Sequence, residues 1–300
     1  MTPTQYSLFW GLFPRIPGMP TMPPYADYLS RENFFQDYLD IFRGHDTRAT
    51  RGLTGPHPFH AQLSDPDFVA PKIAYVLIGE AANSRSPTFF YDPTHLKSTN
   101  WLRSPLDAFG SGLAYPKTPS KKIGALFALA MKGFLLLDLY PFAIDYSIKI
   151  SGRTLRSLIP YIPFWDYLVD RINGLSAVGL VQKDCLLAFS GPASTHHQIA
   201  VQLHNQAFHG APLLISLPHH CTLTWGDNIL TDGHGASVPP TAVRPLLFNW
   251  RIPGLVLDLD GRFPVVATNF YSPKYRCETW DGSFVNGPSS KFIKVAFNLP

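Results

Sequence analysis

Four short apolar runs, each ending in polar or small residues, limit the possible folds of this chain more than any other feature. They lie in IAYVLIGE (73–80), FLLLDLYPFA (134–143), DCLLAFSGPAS (184–194) and APLLISLPHH (211–220). Such runs are typical of strands buried on both faces, and several segments between them have helical spacing. The alternation predicts a three-layer α/β/α sandwich with a central parallel sheet of four strands.

Polar or small residues stand at the carboxyl ends of all four predicted strands. Ligands of parallel sheets bind at these ends, so the first candidates for a functional site are Gly79, Glu80, Asp138, Ser190, His219 and His220. A carboxylate at the exit of a buried strand is costly unless water, a cation or a hydrogen-bond donor meets it. Asp138, directly after the apolar run 134–137, therefore raises the question of what it binds.

The rest of the chain divides into two additions around a core at 71–230. In residues 1–70, the segment at 25–43 predicts a helix packed on the core, with these residues on or near one face: Tyr28, Leu29, Phe35, Tyr38, Leu39 and Phe42. In residues 231–300, the Asp-Gly pairs at 260–261 and 281–282 predict turns, the first of them in a hairpin, and a β-rich extension. We expect one compact domain.

Composition and motifs argue against several classes of protein. The three cysteines are far apart and form no CxxC pair, which argues against a disulfide scaffold and a thiolate metal site. HExxH, GxxxxGK[ST] and GxSxG motifs are missing from the sequence, so no metal site, nucleotide phosphate loop or serine-hydrolase turn is indicated. The N-terminus does not resemble a signal peptide, and no apolar stretch reaches membrane-spanning length. We expect a cytoplasmic protein with no membrane partner and no obligate protein partner.

Several residues at the strand ends suit hydrolytic chemistry. Glu80 or Asn83 could orient or deprotonate a water molecule, and Gly79 lets a substrate approach the backbone. His219 or His220 could donate to developing negative charge. The small-residue turn after Ser190 could bind an anion. Each also has a structural interpretation, such as a helix cap for Asn83, and the residues alone do not decide between them.

The order of these pieces resembles the uracil-DNA glycosylase superfamily. In that family a parallel sheet between helices carries a water-activating motif after the first strand, with variants GQDPYH, GEAPG or GxNPG. A base-reading Asn ends a run such as LLLN, and a His-containing motif follows the last strand. Here GEAAN is similar to GEAPG, LLLD to LLLN, and LPHH stands where the last motif belongs, so the resemblance covers about residues 70 to 230. It implies a monofunctional DNA N-glycosylase that needs no cofactor and flips a base out of double-stranded DNA into a pocket.

Two departures from the family pattern bear on the chemistry. Ala82 replaces the motif Pro, and Ala81 stands where GQDPYH has its Asp, so water activation would pass to Glu80 or Asn83. Asp138 replaces the base-reading Asn. A carboxylate only accepts hydrogen bonds, so it repels the carbonyl of uracil and accepts from the amino group of cytosine. The resemblance then implies a modified cytosine as substrate, such as hydroxymethylcytosine or its glucosylated form in phage DNA, and thereby a role in antiviral defence.

A polar insertion after the first strand could contact DNA. The insertion spans residues 84–122, and connections longer than about 15 residues are usually functional or disordered. Phosphates could be held by Arg85, Lys97, Arg103, Lys121 and Lys122. The flipped base could stack on Tyr91, Tyr140 or Phe142.

Other functions are compatible with the same residues. A repair glycosylase for uracil or another damaged base would use the same fold. An N-ribosyl enzyme acting on free nucleosides would need the same acid and aromatic groups without a DNA-binding surface. A non-catalytic nucleic-acid-binding module is also open, because the Asp of the water motif is missing.

Overall fold

A computed structural model describes residues 1–13, 17–79, 81–82, 89–96, 100–113, 116–145, 148–150, 153–154, 164–190, 224–226, 229–231, 237–238, 265–268 and 299. The helices are α1 (Pro3–Gly11), α2 (Tyr25–Arg43), α3 (His60–Leu63), α4 (Asn100–Ala108), α5 (Pro119–Met131) and α6 (Trp165–Ala177), with a 3-10 turn at Ala49–Arg51. The strands are β1 (Ile73–Gly79), β2 (Phe134–Asp138), β3 (Lys149–Ile150), β4 (Arg153–Thr154), β5 (Val181–Ser190), β6 (Thr224–Gly226), β7 (Ile229–Thr231), β8 (Ser237–Val238) and β9 (Val265–Thr268). Within these ranges, none of the helices has the combination of length and apolar character that a membrane span requires.

The centre of the fold is a parallel sheet in which β1 lies between β2 and β5. The three strands form where the apolar runs predict them, so the mixed α/β class with a parallel sheet is confirmed. The predicted strand at 211–220 and the helix before it lie outside the described residues. The described segment Val265–Thr268 pairs in parallel with β5, although its sequence predicts one arm of a hairpin in a β-rich extension packed on the core.

Gly133 explains why β2 begins where it does. Helix α5 ends just before it, and Gly133 has a φ of +76°, a conformation that residues with a Cβ rarely adopt. A Cβ at this position would lie 2.7 Å from the carbonyl oxygen of Lys72. The glycine thus lets the chain reverse tightly from helix into strand beside the start of β1.

Helix α2 has the bounds that its periodicity predicts, and Gly44 ends it with a φ of +79°. Five of its predicted inner residues are buried: Tyr28, Phe35, Tyr38, Leu39 and Phe42. The sixth, Leu29, was expected on or near that face but is 45% exposed. It follows Tyr28 directly and so lies about 100° around the helix from it.

Two tyrosine hydroxyls satisfy the backbone of the edge strand β2. Tyr38 of α2 donates to the carbonyl oxygen of Phe134 at 2.7 Å. The Tyr91 hydroxyl donates to the carbonyl oxygen of Leu136 and accepts from the N–H of the same residue, both at 2.7 Å. Buried backbone groups need such partners, and an edge strand has none from a further strand. Helix α2, through Tyr38, and the insertion, through Tyr91, therefore both cover this edge of the sheet.

Tyr38→Phe should lower the free energy of unfolding by about 1 to 3 kcal/mol, because the carbonyl of Phe134 would stay buried without a donor. Chemical denaturation of the variant and the wild type measures the difference. Tyr25→Phe is the matched control, since the Tyr25 hydroxyl bonds a backbone carbonyl at a half-buried site that water can reach. Equal effects of the two substitutions would contradict the assigned role of Tyr38.

Candidate functional site

The carboxyl ends of β1 and β2 meet at one edge of the sheet. Gly79 and Asp138 are partners in the strand register, and the N–H of Leu139 donates to the carbonyl oxygen of Gly79 at 3.0 Å. The segments that follow the two strands also contact each other, because the N–H of Ile144 donates to the carbonyl oxygen of Ala82 at 2.8 Å. The segments that carry GEAAN and LLLD are therefore neighbours in space.

A cavity opens at this edge, between the end of β2 and helices α2 and α6. Four of the residues predicted for the site border it, namely Asp138, Tyr140, Phe142 and Tyr91, and so does Ala82 of the GEAAN segment. The opposite walls are formed by residues of α2 and α6: Tyr28, Arg31, Glu32, Phe35, Tyr167 and Arg171. The cavity thus combines two carboxylates, two guanidinium groups and several aromatic rings.

Asp138 sits in an environment that disfavours its charge. The residue is surrounded closely by protein and keeps only partial exposure where it borders the cavity. Burial raises the pKa of its carboxyl group to about 6, although the positive charges of Arg31 and Arg171 lower it. Among the described residues, no side chain hydrogen-bonds to this carboxylate or forms an ion pair with it. Asp138 is therefore available to a ligand that offers hydrogen-bond donors.

The predicted stacking residues are held in place by other aromatic rings. Phe142 is fully buried and packs with Tyr6, Trp10 and Phe13 at centroid distances of 4.8, 5.1 and 5.4 Å. The ring centroids of Tyr140 and Phe164 lie 4.7 Å apart. Tyr91 is 3% exposed, with its hydroxyl bonded to β2. These rings form a tightly packed wall of the cavity and present almost no accessible surface, so a base would stack on them only after the cavity widens.

An ion pair between α2 and α6 forms part of the cavity wall, and the sequence did not reveal it. Nη1 of Arg171 donates to Glu32 at 2.8 Å and to the hydroxyl of Tyr167 at 2.7 Å. Burial opposes ionisation of Glu32, but the charge of Arg171 and hydrogen bonds from Arg171 and Gln36 hold its pKa below the usual value. One signal was available in the spacing of Tyr28, Glu32 and Phe35, which places them on one face of α2.

Several predicted site residues cannot be placed. The following lie outside the described residues: Glu80, Asn83, Arg85, Lys97, His219 and His220. Ser190 is the last residue of β5, and Arg103 lies within α4, but their side chains are outside the description as well. The roles assigned to these residues stay predictions.

Lys121 and Lys122 differ, although both were predicted to bind phosphates. Lys121 is exposed in the first turn of α5. Lys122 is 3% exposed, and its ammonium donates to the carbonyl oxygens of Phe89, Asp92 and His95 at 3.3, 2.5 and 2.8 Å. Burial lowers the pKa of Lys122 to about 8, against the charge of Asp92. We therefore remove Lys122 from the DNA-contacting residues, because it fastens the segment at 89–95 to α5.

A second polar cluster lies away from the cavity, on α2 and the chain that follows it. Ligand atoms of Asp37, Asp40 and His57 lie within 4.8 Å of one another, a spacing that a metal ion could use. Their carboxylates are instead engaged by cations: Arg51 reaches both acids at 2.6 and 3.2 Å, and Arg43 reaches Asp40 at 2.6 Å. The cluster is a buried ion-pair network that fastens α2 to the following turn.

Comparison with known proteins gives no family assignment. No family model matches the chain, and it matches neither a curated protein nor a solved structure.

Proposed function

We propose that this chain is a monofunctional DNA glycosylase that hydrolyses the N-glycosidic bond of a flipped-out modified cytosine and leaves an abasic site. The substrate would be a base such as hydroxymethylcytosine or glucosylated hydroxymethylcytosine. Destruction of phage DNA that contains such bases would be the biological role. In this proposal the sheet and its helices form a sandwich of the uracil-DNA glycosylase type.

The observation that carries the proposal is the position of Asp138. Its carboxylate borders a cavity at the end of a buried strand, and no described side chain satisfies it. A carboxylate whose pKa is raised by burial and that borders a cavity is a candidate for function. Ala82 of the GEAAN segment borders the same cavity, so two of the three motifs that resemble the superfamily converge there.

The hydrogen-bonding capacity of Asp138 favours cytosine over uracil. An ionised carboxylate has only acceptor sites, and cytosine offers its exocyclic amino group as a donor. Uracil offers a carbonyl oxygen at the same position, which a carboxylate repels. A target of unmodified cytosine would expose the DNA of the host, so the substrate is expected to carry a modification.

The chemistry assigned to the remaining residues follows the sequence predictions. Glu80 or Asn83 positions water against the anomeric carbon of the sugar, and His219 or His220 faces the departing base. The rings of Tyr140, Phe142 and Tyr91 are the predicted stacking surface for the flipped base, whose removal from the stack costs a few kcal/mol, and the cavity would have to widen to expose them. The transition state resembles an oxocarbenium ion, so electrostatic positioning is expected to supply most of the rate.

Base release from defined duplexes tests the proposal. Purified protein is incubated with duplexes that contain uracil, cytosine, hydroxymethylcytosine or glucosylated hydroxymethylcytosine, and alkaline strand cleavage reports abasic sites. We expect cleavage with at least one modified cytosine, none with cytosine, and loss of activity in Glu80→Ala or in Asn83→Ala.

The other outcomes identify the alternatives. Cleavage of the uracil duplex alone would favour a repair glycosylase. Turnover of free nucleosides without DNA binding would favour an N-ribosyl enzyme, and DNA binding without any base release would favour a non-catalytic module. Any of these three results would overturn the proposal.

A further inference from the structure

Arg171 is the most firmly held charged group that borders the cavity. Its guanidinium carbon lies 4.3 Å from the centroid of the Phe35 ring and 5.4 Å from that of Tyr167. Nη1 donates to Glu32 and to the Tyr167 hydroxyl. Contacts from two helices thus fix the plane of the guanidinium before any ligand arrives.

Part of this guanidinium remains available to a ligand. Both of its hydrogen bonds use Nη1, and no acceptor among the described residues meets Nε or Nη2. A guanidinium has five N–H donors in a planar fork and stays protonated at any ordinary pH. Arg171 borders the same cavity as Asp138, and its charge lowers the pKa of that carboxyl group. The cavity therefore offers an acceptor-only group and a donor-only group together.

Asp138 and Arg171 together match the hydrogen-bonding groups of cytosine and the negative charge that develops when the base leaves. Cytosine presents an amino group, which Asp138 can accept from, and a ring nitrogen and carbonyl oxygen that need donors. During hydrolysis the bond between C1′ and the base nitrogen breaks, and its electron pair moves to the base. The water oxygen bonds to C1′, and the proton released by water ends on the base nitrogen through solvent. Negative charge therefore develops on the base, shared between its ring nitrogen and the adjacent carbonyl oxygen.

We propose that Arg171 is a catalytic residue that donates to the carbonyl oxygen of the flipped base and stabilises the negative charge of the leaving base. The inference rests on the proposed function and adds to it a group on α6 that the motif comparison does not include. Removing one fixed donor to a developing oxyanion typically lowers the rate about 100- to 1,000-fold. Arg31 also borders the cavity, but its Nη2 donates to the carbonyl of Pro141 at 3.1 Å, and no ring stacks on it among the described residues.

Chemical rescue of Arg171→Ala tests the assignment. The substitution leaves a space between Phe35 and Tyr167 that fits a guanidinium ion. Single-turnover base release is measured on the duplex that the wild type cleaves fastest, with millimolar guanidinium chloride, with urea of equal concentration, or with sodium chloride. We expect a loss of about 100-fold or more in Arg171→Ala, and recovery of at least about tenfold with guanidinium only. Urea has a similar shape without the charge, so it separates electrostatic rescue from cavity filling.

Arg48→Ala is the matched control, because the Arg48 side chain is as exposed as that of Arg171 and pairs with Asp37, outside the cavity. The folded molecules of Arg48→Ala are expected to release base at the wild-type rate, and guanidinium should not change that rate. Thermal unfolding of both variants verifies that they fold. A wild-type rate in Arg171→Ala, or a loss that guanidinium does not restore better than urea, would overturn the inference and leave the proposed function standing. If the wild type releases no base from any duplex, the proposed function fails first and the inference fails with it.

Discussion

Replacing Asp138 by asparagine is expected to slow release of the modified cytosine and to create activity on uracil. An amide can present its N–H₂ donor toward the carbonyl oxygen of uracil, which a carboxylate repels. Discrimination by one well-placed pair of hydrogen bonds is worth about 1 to 3 kcal/mol, so we expect a loss of about 5- to 150-fold on the cytosine substrate. Base release from both duplexes, compared between the variant and the wild type, measures the change.

The same substitution should stabilise the fold near neutral pH. The pKa of Asp138 is raised from 3.8 to about 6, so the folded state holds the proton more tightly than the unfolded state. The stability of the wild type therefore falls as the pH rises through the window from about 4 to about 6. An asparagine side chain carries no charge and avoids this loss, so we expect a gain of about 1 to 2 kcal/mol at neutral pH after allowing for solvent in the cavity.

Denaturation at two pH values separates this effect from changes in packing. The gain should be present near pH 7.5 and should vanish near pH 4, where both states of the wild type are protonated. Asp67→Asn makes the same chemical change at an exposed position and should be neutral at both values. A variant that is less stable at neutral pH, or that keeps its rate on the cytosine substrate, would contradict the role given to Asp138.

Local patterns in the sequence were sufficient for the elements that carry the site. The apolar run before Asp138 fixes a buried strand, because few other structures bury so many consecutive apolar side chains. The cost of a carboxylate at its end then marks Asp138 as a residue in need of a partner. The periodicity of residues 25–43 fixes α2 for a similar reason.

Long-range contacts were beyond the reach of these patterns. Glu32 and Arg171 are 139 residues apart in sequence, and neither segment indicates that α2 and α6 meet at the end of β2. Lys122 is a different case, because a signal was present. It lies at helical spacing from Ala125, Leu126 and Leu129, all of them buried, so the periodicity of α5 already distinguished it from Lys121.

Asp40→Asn should have the opposite effect on stability and destabilise the fold by about 3 to 5 kcal/mol at neutral pH, because it removes the buried charge that pairs with Arg43 and leaves Arg51 with Asp37 alone. Asp40 is fully buried and accepts hydrogen bonds from Arg43 at 2.6 Å, from the N–H of Thr47 at 2.9 Å, and from Arg51 at 3.2 Å. Burial by itself raises its pKa, but bonds with His57, Thr47 and Arg43 outweigh burial and lower the pKa to about 2.

The sign of this pKa shift sets the pH dependence. A carboxyl group with a lowered pKa in the folded state contributes stability above its unfolded pKa of 3.8, and loses it as the pH falls from about 4 to about 2. The difference between wild type and Asp40→Asn should therefore shrink across that window. An equal difference at neutral and acidic pH would show that the charge of Asp40 is not what stabilises the protein.

The two aspartates together distinguish a residue kept for a ligand from one kept for the fold. Both lie in protein surroundings that oppose their charge, yet Asp40 has hydrogen-bonded partners in place, whereas no described side chain hydrogen-bonds to Asp138 and the charges of Arg31 and Arg171 only partly offset its burial. Substitution by Asn should then raise the free energy of unfolding at position 138 and lower it at position 40, measured at neutral pH against Asp67→Asn. A lower free energy of unfolding in both variants would mean that Asp138 has its hydrogen-bond partners within the folded protein. Its position would then give no reason to expect a nucleobase as ligand.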